Sequence, residues 1–311
     1  MTKIFSVLSR LVKPDGQETS EEKLEDKINQ VLAKEKEKIY PTTEDIERFG
    51  WVTGDNNPVH RLKSRAKKMG FDNTPIMGAH MAAYGEQYIV GAVQTIREYV
   101  SSDLKIIGQK TKFTAPIYPQ ENMWWQVKGA QEKGDTRFDL SITGEVKGKP
   151  NRNTVVEITS RLGSAYPAMP QIAGPLHSRK YLLELDHLEE FYNSVGGKYA
   201  GKVPHSLTAA FVPATLLQLL EERAHTMEGA NLVMDFDFLN DSQLGLMQVD
   251  IFPPERPPRE RKGKDPNTGE QKVEGYIYQF RAVVSQKTKP ILYGEIMSFT
   301  PKKIDLISNS T

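Results

Sequence analysis

Three helices are predicted in the N-terminal third of the chain, two of them from apolar side chains at helical spacing. Residues 17–39 combine strong helix formers with one apolar stripe, which predicts a docking helix or part of a mobile arm. A short helix is predicted from Thr43, as its N-cap, through Phe49. A long helix is predicted from Gly78 to about Val100, because small residues open it and apolar residues follow at helical intervals.

Strand-like segments follow the long helix. Turn residues, including Pro116 and Gly134, separate these segments. A long helix followed by a run of antiparallel strands predicts an α+β unit in which a sheet wraps around the helix. The four predicted strands are roughly 105–115, 122–130, 136–147 and 153–165.

The same order of helices and strands returns in the second half. The matching segments are 186–197 with 44–55, 202–213 with 75–86, and 231–252 with 107–128. We infer two copies of one helix-plus-sheet unit, as expected of an internal duplication. The predicted organisation is an N-terminal helical arm (1–39), a first unit (40–165), a linker rich in proline and glycine (166–180) and a second unit (181–303).

The two copies differ most in the segment before the long helix. Phe49 and Ala82 are 33 positions apart in the first copy, whereas Phe191 and Ala209 are 18 apart in the second. The second copy lacks the loop DNNPVH and the short helix after it. One copy therefore carries the candidate site, and the other is expected to support it.

Composition narrows the classes of function. The charges balance, with 41 Lys and Arg against 40 Asp and Glu, so no nucleic-acid partner is expected. The chain has no cysteine, which removes disulfides, thiolate metal sites and cysteine nucleophiles. No apolar run approaches the roughly 20 residues of a membrane span, and the N-terminus lacks a signal-sequence pattern. We therefore expect a cytoplasmic protein with a small-molecule partner and no membrane span.

Candidate chemistry is concentrated in the loop before the long helix. Asp55, Asn57 and His60 supply a carboxylate, an amide and an imidazole within six residues, and Pro58 prevents a regular helix there. Such a loop can present its side chains inward, where Asp55 and His60 could hold one water for general acid-base chemistry. The plainer alternative is that Asp55 caps a turn and His60 is a core histidine.

This stretch resembles a known family motif. GDNNPVH, followed by Ala66, Gly70-Phe71 and PIMGAHM, is similar to the hydratase 2 motif of the MaoC-like dehydratases, the R-specific enoyl-CoA hydratase family. FTAPIYPQE (113–121) resembles the Phe-X-X-Pro strand that follows the central helix in that family. The resemblance covers roughly residues 40–165. It implies a double hotdog fold whose second half is a degenerate hotdog repeat.

The resemblance also implies an activity. The family members are hydro-lyases that interconvert (3R)-3-hydroxyacyl and trans-2-enoyl thioesters of coenzyme A or acyl carrier protein, in fatty acid metabolism. By resemblance, Asp55 and His60 activate the water. Asn57 is interpreted as a supporting residue that orders the loop or orients the water, and Pro58 supports the shape of the loop. No metal or redox cofactor is implied.

The start of the long helix is the predicted binding place of the thioester oxygen. Free backbone N–H groups at Gly78 and Ala79 can donate to that oxygen, and the helix dipole favours negative charge there. The family usually has His-Gly at these two positions, whereas this chain has its histidine two places later, at His80. We interpret His80 as a residue that packs behind the site rather than as a catalyst.

The sequence is compatible with alternatives on three points. The same fold could serve a thioesterase or a non-catalytic acyl-thioester-binding protein. The basic segment 252–275 is expected to be a long mobile hairpin connection, or alternatively to touch the phosphates of the thioester carrier. Its candidate contacts are Arg256, Arg259, Arg261 and Lys262. Since a double hotdog already contains two units, either a monomer or a homodimer is expected.

Overall fold

The computed structural model describes residues 24–100, 102–134, 137–148, 154–172, 174–197, 201–264 and 268–304. Most of the predicted N-terminal arm therefore lies outside the described residues. Within the described part of the chain, no helix is both long and apolar enough to cross a lipid bilayer.

The first unit surrounds one long central helix, which begins at Gly78 as predicted and ends three residues before the predicted end. A side chain on Gly85 of this helix would overlap Ile158 of the sheet, so its small residues let the sheet pack closely. The helices are α1 (Leu24–Leu32), α2 (Thr43–Thr53), α3 (Lys63–Lys68) and α4 (Gly78–Arg97). The strands are β1 (Lys36–Ile39), β2 (Lys105–Phe113), β3 (Met123–Glu132), β4 (Phe138–Val146) and β5 (Thr154–Gly163).

The second unit repeats this order of elements. Its helices are α5 (Leu185–Ser194) and α6 (His205–Ala224). Its strands are β6 (His177–Leu183), β7 (Ala230–Phe238), β8 (Gly245–Phe252), β9 (Arg259–Lys264), β10 (Gln271–Gln286) and β11 (Lys289–Thr300). The segment 166–180, predicted as a linker, thus runs into β6.

The two units share one sheet with the strand order β1-β3-β4-β5-β2-β7-β11-β10-β8-β6, and β9 pairs with β10 outside this path. Counted inward from each edge, β1-β3-β4-β5-β2 corresponds to β6-β8-β10-β11-β7. Both units therefore have the same topology, and the antiparallel pair β2–β7 joins them at the centre. The fold is the predicted α+β double hotdog.

The seam between the units is held by the β2–β7 ladder and by side chains that cross it. Arg161 of β5 donates hydrogen bonds to Asp235 (2.8 Å) and Asp237 (3.0 Å) and to the carbonyl oxygen of Phe236 (2.7 Å) in β7. Helices α4 and α6 pack against each other inside the sheet. The core is consequently continuous across both halves of the chain.

Two predictions near the N-terminus need correction. The helix predicted over 17–39 ends at Leu32, and Lys36–Ile39 instead pairs with β3 as an edge strand. The N-cap of α2 is Thr42 rather than Thr43. The Thr42 hydroxyl accepts the N–H of Asp45, and the Asp45 carboxylate accepts the N–H of Thr42, which makes a capping box.

The basic segment 252–275 is more regular than the sequence predicts. Residues of β9 pair with β10 from Arg259 opposite Ile277 to Lys264 opposite Gln271, so the segment extends the sheet as a paired hairpin. Arg261 stacks over the ring of Phe299 at 5.2 Å and forms an ion pair with Glu274 (3.2 Å). The hairpin therefore lies along the end of β11.

Candidate active site

The candidate loop begins where α2 ends at a left-handed residue. Gly54 has φ 71°, a conformation that side-chain-bearing residues rarely adopt, and its N–H donates to the carbonyl oxygen of Gly50 at 2.9 Å. This cap turns the chain sharply after Thr53. Asp55 follows directly and is only 7% exposed.

Side chains of the loop fix its own backbone. The Asp55 carboxylate accepts the N–H of Asn57 (3.0 Å), and the Asn57 side-chain oxygen accepts the N–H of Val59 (3.1 Å). Pro58 opens a single 3-10 turn that runs to His60. The Asn57 amide also donates to the carbonyl oxygen of Gly229 at 3.1 Å, which ties the loop to the second unit.

The imidazole of His60 has a defined orientation. Its Nδ1 lies 2.7 Å from the carbonyl oxygen of Pro75. Because a carbonyl oxygen can only accept, Nδ1 carries the hydrogen, and in the neutral ring Nε2 then keeps its lone pair. The ring is partly exposed, so one nitrogen is held by the protein and the other remains for a ligand.

A cavity of about 410 Å³ lies between the two units and collects these groups. Asp55, Asn57, His60 and Gly78 all line it. Pro58, Ala79 and His80, the other predicted site residues, do not contribute to its described wall. The segment 113–117, which belongs to the Phe-X-X-Pro motif, forms the wall beside the start of α4.

The first turn of α4 reaches this cavity at Gly78. Its N-cap residue, Met77, makes no side-chain capping hydrogen bond. Among the described residues, the N–H groups of Gly78 and Ala79 have no protein acceptor. The Phe113 ring lies so close to Gly78 that a Cβ atom there would be 2.9 Å from the ring Cζ. The absence of a side chain therefore keeps this end of the helix accessible.

Comparison with protein families identifies the first unit. Residues 21–147 match the family model of the MaoC like domain. The first unit is a MaoC-like domain. Comparison with curated protein sequences gave no match.

Solved structures with related folds extend over both units. A MaoC-like dehydratase from Phytophthora capsici is 11% identical, with a TM-score of 0.54, and covers 88% of this chain and 98% of its own. A conserved hypothetical protein from Mycobacterium tuberculosis, described as having a double hotdog fold, is 11% identical, with a TM-score of 0.55 and coverages of 85% and 93%. At this identity the likeness establishes the fold alone.

The second unit supplies the opposite wall of the cavity to the MaoC-like domain. Leu216, Leu217 and Leu220 of α6 form its apolar part, and Asn231 and Arg261 contribute polar groups. Of these residues, sequence reasoning had named only Arg261. The helix α6 is buried on almost every side, so its apolar pattern did not mark the face that lines the cavity.

His80 lies behind the site, between the MaoC-like domain and α5. Its ring is fully buried and stacks on Phe49 (4.4 Å between centroids) and Tyr84 (4.8 Å). Its Nε2 is 2.9 Å from the carbonyl oxygen of Ser194 and therefore donates to it. The Tyr84 hydroxyl donates to the same oxygen at 2.8 Å. These contacts couple the central helix α4 to the second unit.

Because of its burial, His80 is expected to make the protein acid-sensitive. Burial lowers the pKa of His80 from 6.5 to about 4. The unfolded chain therefore binds the proton more readily than the folded protein. The free energy of unfolding has its full value above pH 6.5, and the contribution of His80 lowers it by roughly 3 kcal/mol in total as the pH falls to 4. Urea unfolding between pH 7.5 and pH 4.5 measures this loss. His80→Gln, which can still donate to Ser194, should show a shallower pH dependence; an equal slope in both proteins would contradict the assignment.

Proposed function

We propose that the protein is a hydro-lyase that interconverts (3R)-3-hydroxyacyl thioesters and trans-2-enoyl thioesters. One observation carries the proposal. The Asp55 carboxylate and the His60 ring, whose Nε2 is left as an acceptor, line one cavity beside the open start of α4. This arrangement offers a base, a carboxylate and oxyanion donors around a single ligand.

In the hydration direction, His60 Nε2 takes a proton from a water held by Asp55 while the water oxygen attacks the β-carbon. The electron pair of the carbon–carbon double bond moves towards the thioester, whose oxygen becomes enolate-like. The N–H groups of Gly78 and Ala79 donate to this oxygen and stabilise its charge. The α-carbon then receives the proton held by the Asp55–His60 pair, so that one molecule of water has been added in total.

The remaining features of the site fit the same substrate class. Asn57 and Pro58 hold the turn that positions Asp55 and His60. The apolar wall from α6 gives an acyl chain a place to lie next to the reacting carbons. Adding water to a double bond needs no redox cofactor, and we propose no metal, since protein groups supply the base and the electrophilic donors. The proposed substrate is an acyl thioester of coenzyme A or acyl carrier protein.

A hydration assay across acyl chain lengths tests this function. The purified protein is incubated with trans-2-enoyl-CoA from crotonyl upward and with the matching acyl carrier protein thioesters. We measure loss of the enoyl chromophore, the configuration of the 3-hydroxyacyl product and the release of free thiol. The expected result is the (3R) product without thiol release. Absence of hydration at every length and on both carriers would refute the proposal, and thiol release alone would identify a thioesterase.

A further inference from the structure

The two central helices place different residues at one matched position. Both α4 and α6 have 20 residues, and they begin at Gly78 and His205 respectively. Glu86 is eight residues after the first of these, and Pro213 is eight residues after the second. Glu86 lies beside the start of α6, where it accepts the N–H of His205, and Pro213 lines the same cavity as Gly78, the first residue of α4.

In the second unit, Glu86 occupies the helix start. Its carboxylate accepts the N–H of His205 (3.0 Å) and the N–H of Ser206 (2.6 Å), the first two residues of α6. Glu86 is only 3% exposed. A buried carboxylate that receives two N–H donors from a helix start is stabilised by charge-assisted hydrogen bonds and by the helix dipole. It satisfies the two donors that correspond by position to those of Gly78 and Ala79 in the first unit.

A side chain also fills the space in front of this second helix start. The His205 ring stacks on Phe238, the last residue of β7, with centroids 4.1 Å apart and an interplanar angle of 10°. The matched pair in the first unit is Gly78 with Phe113, the last residue of β2. Gly78 has no side chain, so the Phe113 ring approaches it directly, and both residues line the cavity.

The first helix start has no anion in the position of Glu86. Pro213 of α6 lines the same cavity as Gly78. A proline side chain has no hydrogen-bond acceptor and carries no charge. The N–H groups of Gly78 and Ala79 consequently remain available.

We propose that Glu86 and His205 close the second helix start to ligands, and that Pro213, at the position matching Glu86, keeps the first one open. These positions would then decide which of two related sites accepts the thioester oxygen. The identity of the ligand rests on the proposed function, whereas the closure by Glu86 does not. Glu86 thus acts as a built-in substitute for an anionic ligand.

A charge introduced at Pro213 tests the inference. Pro213→Glu should place a carboxylate at the N–H groups of Gly78 and Ala79, and Pro213→Met, of similar length but without a charge or an oxygen acceptor, measures the steric effect. The hydration rate of Pro213→Glu is expected to be about 100-fold below that of Pro213→Met, as when an oxyanion donor is lost. Equal rates in the two folded variants would overturn the inference.

Amide proton shifts provide a readout that does not depend on activity. In Pro213→Glu, the amide resonances of Gly78 and Ala79 should move downfield relative to Pro213→Met. In Glu86→Gln, those of His205 and Ser206 should move upfield relative to the wild type, which tests closure even where Pro213→Glu does not fold. Unmoved resonances would overturn the inference. If the wild type hydrates no enoyl thioester but the amide shifts occur, only the proposed function fails.

Discussion

Replacing Asp55 with asparagine is expected to lower the rate of enoyl-thioester hydration by about a hundred- to ten-thousandfold. Asparagine keeps a side-chain oxygen that can accept the N–H of Asn57, so the turn that shapes the loop is retained. It lacks the negative charge and cannot share the proton of the attacking water. The loss should therefore appear in kcat, while circular dichroism and the unfolding midpoint stay close to those of the wild type.

The matched control is Asp72→Asn. Asp72 is exposed and follows Phe71, which lines the cavity, so this variant removes a neighbouring carboxylate without touching the loop. Its rate is expected to equal that of the wild type. His60→Gln should lose activity to an extent similar to Asp55→Asn. Wild-type turnover in Asp55→Asn would support the plainer reading, in which Asp55 only caps a turn.

Replacing Gly78 with valine is expected to reduce kcat/KM by about a hundred- to a thousandfold. A Cβ atom at this position would lie 2.9 Å from Cζ of Phe113, so a branched side chain must push the ring aside or fill the cavity. Either response obstructs the N–H groups at the start of α4. Steady-state kinetics on the proposed thioester substrate measures the loss.

Gly91→Val is the matched control in the same helix. Gly91 is exposed, and a Cβ atom there would meet no other atom within 4 Å. Both variants exchange a helical glycine for valine, so a difference between their activities is caused by the position of the substitution and not by helix propensity. Comparable activity in the two variants would mean that the thioester oxygen does not bind at the start of α4. The presence of Gly78-Ala79 in place of the family's His-Gly pair would then reflect the loss of this binding place for the thioester oxygen.

The central architecture was predictable because its signals are local and periodic. The start of α4 at Gly78 and the four strands after it follow from small residues, helical spacing and turn residues. The internal repeat also predicted the order of helices and strands in the second unit. Asp55, Asn57 and His60 could be selected together because one short loop contains all three.

The errors arose where distant partners override local preference. The residues of β1, KEKI, favour a helix in isolation, yet Ile39 pairs with Met123 and Lys36 with Gln126 at the edge of the sheet. Strand β9, RERKGK, is also highly charged, and it forms because it pairs with β10. The wall that the second unit contributes to the cavity was missed for the same reason. It depends on contacts between distant parts of the chain, such as that between Asn57 and Gly229, which are 172 positions apart. A single sequence carries no local sign of such contacts.

The seam between β2 and β7 has a consequence for divergence. In a symmetric homodimer, every substitution appears twice, once in each subunit. Here the two halves are covalently tethered, which keeps them together at high effective concentration however dilute the protein is. A change in α6 leaves the equivalent position in α4 untouched. The tether therefore allows the second half to be reshaped while the loop and the helix start of the first half stay unchanged.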